Sequence, residues 1–130
     1  MAALLNGCTS DDTNNQSGCQ NDVAIHSFQN HHSNVQVLAC GVVVAILKDD
    51  NRGSRHQRFI VQLSNSSQTV LVVHNVDVAH RVNGLNEGDF VALYGEYEYN
   101  DQGGVIHWTH RDVAGRHQDG YISHNGVRYY

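Results

Sequence analysis

Apolar and polar residues alternate along residues 57–63, where Phe59, Val61 and Leu63 are separated by Ile60 and Gln62 and preceded by Arg58. That two-residue period marks a strand with one face turned to a core. Residues 35–47 form a longer Val-rich run interrupted by Gly41; a glycine inside a long strand marks a bulge or a sharp bend. Residues 69–74, 90–99 and 105–110 complete the strand-like segments. Polar turn clusters separate them at residues 48–54, 64–67, 87–89 and 100–104. Between the third and fourth strands, Val76, Val78, Val82 and Leu85 sit among polar positions and predict a short helix. Asn75 is its expected N-cap, and Arg81 is spaced to pair with Asp77 four residues earlier. Val23, Ile25 and Phe28 allow another short helix ahead of the first strand, capped near Asn21 or Asp22. Residues 111–130 carry Gly115, Gly120 and Gly126 among several aromatics and predict no regular element.

Three strands, a short helical connection and two more strands is the order of the five-stranded OB barrel. A long first strand with an internal glycine suits it, because one strand must bend to serve both sides of a small barrel. The stretch Leu85-Asn86-Glu87-Gly88-Asp89-Phe90-Val91 resembles the entry to the fourth strand of many OB proteins. Other small barrels and sandwiches share this pattern. The expected organisation is a flexible tether over residues 1–20 and an all-β OB-like domain with a His-rich tail over residues 21–130.

Composition narrows the function classes. The 130 residues carry a formal charge of −5, ten histidines and no proline. A general nucleic-acid coat protein is therefore excluded, although a local basic patch is not. All eight Lys and Arg lie from Lys48 onward. No apolar run approaches the ~20 residues of a membrane span. Leu4-Leu5-Asn6-Gly7-Cys8 resembles the end of a bacterial lipoprotein signal, with Cys8 as the lipidated residue. Asn6 is unusual there, and the apolar stretch is short and lacks a basic front. This reading makes the protein periplasmic, or membrane-anchored on the periplasmic side through the lipid. Cys19 and Cys40 remain as a pair for a disulfide worth about 3 kcal/mol in the chain-entropy model; two unpaired thiols are the alternative.

Candidate chemistry concentrates in His and Arg. His56 lies between Arg55 and Arg58, a set that suits a phosphate or carboxylate held by guanidinium and a proton moved by imidazole. His107, His110, Arg111, Asp112, Arg116, His117 and His124 form the densest polar run. His107, His110, His117 and His124 are candidate ligands for a divalent metal such as zinc, without matching an established zinc spacing. On a straight strand His107 and His110 point to opposite faces, so shared ligation needs a bulge or a strand end between them. His74, Asn75, Arg81, Glu96, Glu98 and Arg116 complete the candidate ligand-binding set with Arg55 and Arg58, and His56 and His107 are the candidate catalytic residues. Each has a plainer reading as hydrogen-bonded structure, and Asp49-Asp50 reads as a solvated turn. Trp108, Tyr94, Tyr97, Tyr99 and Tyr121 supply aromatic surface for stacking, with Trp108 the first choice for burial in the core.

The stretches Arg55-His56-Gln57-Arg58-Phe59, His74-Asn75-x-Asp77, Gly95-Glu96-Tyr97-Glu98 and Gly103-Gly104-Val105-Ile106-His107-Trp108-Thr109-His110, continued by Arg116-His117 and His124, resemble a family of small exported bacterial proteins described only as a domain of unknown function, DUF3465. His80 departs from it where proline is expected. The resemblance implies boundaries and brings no activity. Three functions fit the sequence: a binding module for a polar or anionic ligand (oligonucleotide, glycan or protein partner) using residues 48–56, residues 100–104 and the His-rich tail; a His-based, metal-dependent or metal-free phosphodiesterase; and a periplasmic metal-binding protein.

Overall fold

The computed structural model describes residues 19–130. Helix α1 (Asn21–Gln29) precedes β1 (Val35–Ile46), β2 (His56–Leu63), β3 (Thr69–Asn75), β4 (Phe90–Glu98) and β5 (Val105–His107). A hairpin of β6 (Tyr121–His124) and β7 (Val127–Tyr129) follows. Strands β1, β2, β3, β5 and β4 lie side by side in that order, and β4 returns to pair with β1. The pairing of β3 with β5 is parallel, while the other neighbours are antiparallel. The result is a closed five-stranded OB-like barrel, with β6 and β7 extending the sheet from the far edge of β4.

Strand β1 closes the barrel because it belongs to both sides. Its first part, from Val35 to Val42, pairs with β4, and its second, from Gly41 to Ile46, pairs with β2. Gly41 sits where the two pairings overlap. A Cβ there would lie 2.0 Å from the Gln62 carbonyl oxygen, so only glycine permits the close approach. The register with β2 slips between Val43 and Ala45, a bulge that adds to the bend.

The two-residue period sorts the side chains as the sequence predicts. Phe59, Val61, Leu63, Val70, Val72, Val91, Leu93, Tyr97 and Ile106 fill the interior with Val37, Ala39 and Val43. Tyr97 fits because Gly104, at φ 105°, leaves its ring room, and its hydroxyl donates to the Gly103 carbonyl at 2.7 Å. Burial pushes the Tyr97 phenol up to about 12.

Three expectations are corrected. No helix joins the third and fourth strands; residues 76–89 are turns linked by irregular chain. Asn75 Oδ1 accepts from the Asp77 amide at 3.0 Å, so Asn75 closes a tight turn instead of capping a helix. Val82 is drawn inside because the buried Gln57 side chain pairs with its N–H and carbonyl at 2.9 and 3.1 Å. The short helix that the sequence allows ahead of β1 does form, but its cap is Gln20 rather than Asn21 or Asp22, and no side chain caps the first turn. The tail is not irregular, since Asn125 and Gly126, both at positive φ, close the β6–β7 hairpin.

Helix α1 seals one barrel end. Ala24 is fully buried, and Val23, Ile25 and Phe28 pack against the core. Asn21 exchanges two 2.9 Å hydrogen bonds with the Cys40 backbone, and a disulfide joins Cys19 to Cys40 with Cα atoms 6.0 Å apart. The Cys8 box and the tether segment up to residue 18 lie outside the described residues. No helix among the described residues is long and apolar enough to cross a membrane.

Candidate functional site at the barrel end opposite α1

The other end is built by the chain leaving β5. Trp108 takes a left-handed φ of 56°, which ends the strand alternation after three residues. Thr109 consequently turns inward and is fully buried. Gly95 makes room for this turn, because a Cβ there would lie 2.5 Å from the His107 carbonyl oxygen.

Thr109 meets His74, which β3 also points inward. The His74 Nδ1 lies 2.7 Å from the Thr109 hydroxyl, and its Nε2 lies 2.8 Å from the His80 carbonyl. A carbonyl only accepts, so Nε2 carries the proton and Nδ1 accepts from the threonine. Burial lowers the His74 pKa to about 4, against the smaller opposing effect of the His80 carbonyl. His74 is therefore a neutral structural tie between β3, residues 76–89 and the segment after β5.

That segment folds back as a compact polar loop. Asp112 accepts from the Ala114 and Arg116 amides at 3.0 and 2.8 Å, and Asp119 accepts from the Asp112 amide at 2.8 Å. His117 stacks on Trp108 with centroids 4.2 Å apart, and Trp108 also meets His110 at 5.2 Å. Trp108 is only half-buried, a correction to its expected place in the core. Gln118 bonds the Tyr94 hydroxyl. Gly120 admits the crossing, since a Cβ there would lie 2.4 Å from the Trp108 and Tyr94 carbonyl oxygens.

Between this loop, β3 and the start of β2 lies a cleft of about 590 Å³. His56, Asn75, His107, Trp108, His110, Arg111, Arg116 and Tyr130 line it, with Val73, Val78 and Asp112. Its lining carries two guanidiniums, Arg111 and Arg116, against one carboxylate, Asp112. Arg111 lies over the Tyr130 ring at 3.9 Å, and Asp112, the lining acid, already accepts two backbone hydrogen bonds. His56 Nδ1 lies 2.9 Å from the Ser54 carbonyl and His110 Nδ1 lies 2.8 Å from the Arg111 carbonyl. Both imidazoles thus carry a proton on Nδ1, which leaves Nε2 as the atom open to exchange.

Beside the cleft, on the outer face of β4 and β5, Glu96 and Glu98 meet two histidines. His107 Nε2 lies 3.3 Å from Glu98 and 3.6 Å from Glu96, and His117 Nε2 lies 2.8 Å from Glu96. With its amide turned so that nitrogen faces them, Asn34 donates to both carboxylates at 3.0 Å. Partial burial opposes a charge on His117, but the Gln118 carbonyl and Glu96 outweigh it and raise its pKa. Among the described residues, Glu96, Glu98 and His107 are the group whose donor atoms gather closely enough for a metal, within 4.8 Å of one another.

The structure thus separates the sequence candidates. His56, Asn75, His107, His110 and Arg116 come together, with His117 at the edge. His124 lies apart, with its Nε2 2.8 Å from Asp89, so the His107, His110, His117 and His124 set does not meet. Arg81 pairs with Asp49 rather than Asp77, whose carboxylate takes the Arg55 amide at 2.9 Å. Arg58 donates to the Lys48 carbonyl at 3.0 Å, and neither Arg55 nor Arg58 lines the cleft. Residues 100–104 lie at the α1 end, where Gln68 donates to Gly103. Arg111 and Asp112 stand in the dense polar run without a stated role, Thr109 enters the sequence analysis only within the family resemblance, and Tyr130 carries no sequence signal.

Neither the curated proteins nor the solved structures yield a match to this chain. Residues 10–130 match the model of the family described as "Protein of unknown function (DUF3465)", and the chain belongs to that family.

Proposed function

We propose that this protein is an exported OB-like binding module that holds a polar, anionic ligand in the cleft between β3 and the loop after β5. The observation that carries the reading is the gathering of Arg111, Arg116, His56, His107 and His110 around one cavity whose lining acid is committed to backbone amides. Guanidinium groups suit phosphate and carboxylate, and an anion there loses less to water than on an open surface. Export is supported by the Cys19–Cys40 disulfide, which persists in oxidising compartments. The Cys8 box suits a lipid anchor.

Trp108 is the sole tryptophan, so its fluorescence reports on the cleft. Single-stranded oligonucleotides and an anionic glycan, titrated at low salt, are expected to change that fluorescence. The response should weaken as salt rises. An unchanged signal with all of them at low salt would sink the proposal.

A further inference from the structure

We propose that the same cleft cleaves ribonucleotide phosphodiesters, with His56 and His110 as the acid–base pair. This rests on reading the cleft as an anion site and adds a reaction to it. Among the described residues, the lining includes no serine, threonine or cysteine. Its carboxylate, Asp112, is engaged by the Ala114 and Arg116 amides. The Tyr130 ring is covered by Arg111. His107 lines the cleft, but its Nε2 faces Glu96 and Glu98, which makes it a wall residue. What remains for proton transfer is two imidazoles with Nε2 uncommitted, which share the lining with two guanidiniums, the Asn75 amide and the Trp108 indole.

That inventory lacks a side-chain nucleophile, which suits a substrate that brings its own. A ribonucleotide linkage does, because its 2′-hydroxyl adjoins the phosphorus. One neutral imidazole takes the 2′-hydroxyl proton on Nε2 as the 2′-oxygen bonds to phosphorus. The bond from phosphorus to the 5′-oxygen breaks, and the other imidazole, protonated, gives its Nε2 proton to that leaving oxygen. Arg111 and Arg116 face the non-bridging oxygens, where charge builds. The products are a 2′,3′-cyclic phosphate and a free 5′-hydroxyl. Proton exchange with water resets the pair. No oxidant, reductant or external nucleophile is needed.

The test uses the full chain in EDTA with uridylyl-(3′→5′)-adenosine and its 2′-deoxy counterpart. The ribo form is expected to give 2′,3′-cyclic uridylate and adenosine, and the deoxy form to bind without cleavage. His56→Ala and His110→Gln should each slow cleavage by about 100-fold or more. Affinity for the deoxy form should fall far less than the cleavage rate, because Arg111 and Arg116 still hold the phosphate. His56 is only half-buried, so His56→Ala carries the test should the buried His110 tolerate no change. Deoxy binding with no ribo cleavage would overturn the reaction and leave the anion site standing. Loss of both binding and cleavage would remove both readings. Equal cleavage by parent and His56→Ala, purified side by side, would also overturn the reaction.

Discussion

The two ends of the barrel are closed by different physics. At the α1 end, Ala24 and the apolar face of a short helix cover the core, and a disulfide and the Asn21 amide tie the helix to β1. At the opposite end, a buried imidazole joins three segments, and the surface above it is a loop of histidines and arginines around a cleft. The first end gains stability from burial and a covalent link, while the second is closed by polar ties that need every partner present. Closure by polar groups gathers imidazoles and guanidiniums around the cleft, and the proposed anion site rests on that difference.

The contrast predicts a ranking of effects. His74→Ala removes the tie and leaves the Thr109 hydroxyl and the His80 carbonyl unpartnered beside a cavity; it should cost roughly 3–4 kcal/mol in urea unfolding. His74 also sets a pH dependence. Its folded pKa of about 4 lies below its ordinary 6.5. Between those values the unfolded chain binds a proton that the folded chain refuses. Stability should therefore fall as pH drops from about 6.5 to 4, by up to roughly 3 kcal/mol, and then cease falling on this account. His74→Gln should flatten that slope; an unchanged slope would assign it elsewhere.

Reducing the Cys19–Cys40 bond should cost about 3 kcal/mol and leave cleft binding intact. Loss of binding on reduction would show that the two ends are coupled. Arg111→Ala with Arg116→Ala should do the reverse. Unfolding free energy should change by no more than about 0.5 kcal/mol per site, while affinity for a single-stranded oligonucleotide drops about tenfold or more. Glu96→Gln, which weakens the partly exposed contact that holds His117, should cost about 0–1 kcal/mol. Because the His117 pKa is raised, its contribution is present below its ordinary value and fades as pH rises through the folded one.

Much of the barrel is legible in the chain because burial with period two is a local signal. Phe59, Val61 and Leu63 announce their face, and Gly41 announces the bend. The expected helix over residues 76–85 fails for a non-local reason. Val78 is exposed, while Val82 is held by Gln57, which lies 25 positions earlier. The Asn125-Gly126 turn is a readable hairpin signal that the glycine-rich tail obscured. The cleft is less legible. Arg55, His56 and Arg58 are neighbours in sequence, yet only His56 reaches it. His110 arrives because Trp108 adopts a left-handed backbone that no periodicity foretells.

Backbone amide chemical shifts, followed during titration with a short single-stranded oligonucleotide at low salt, test the central claim most directly. The account predicts shifts concentrated at His56 and across residues 107–117, with α1 and residues 100–104 unmoved. Shifts gathered at the α1 end, or none at either end, would contradict it.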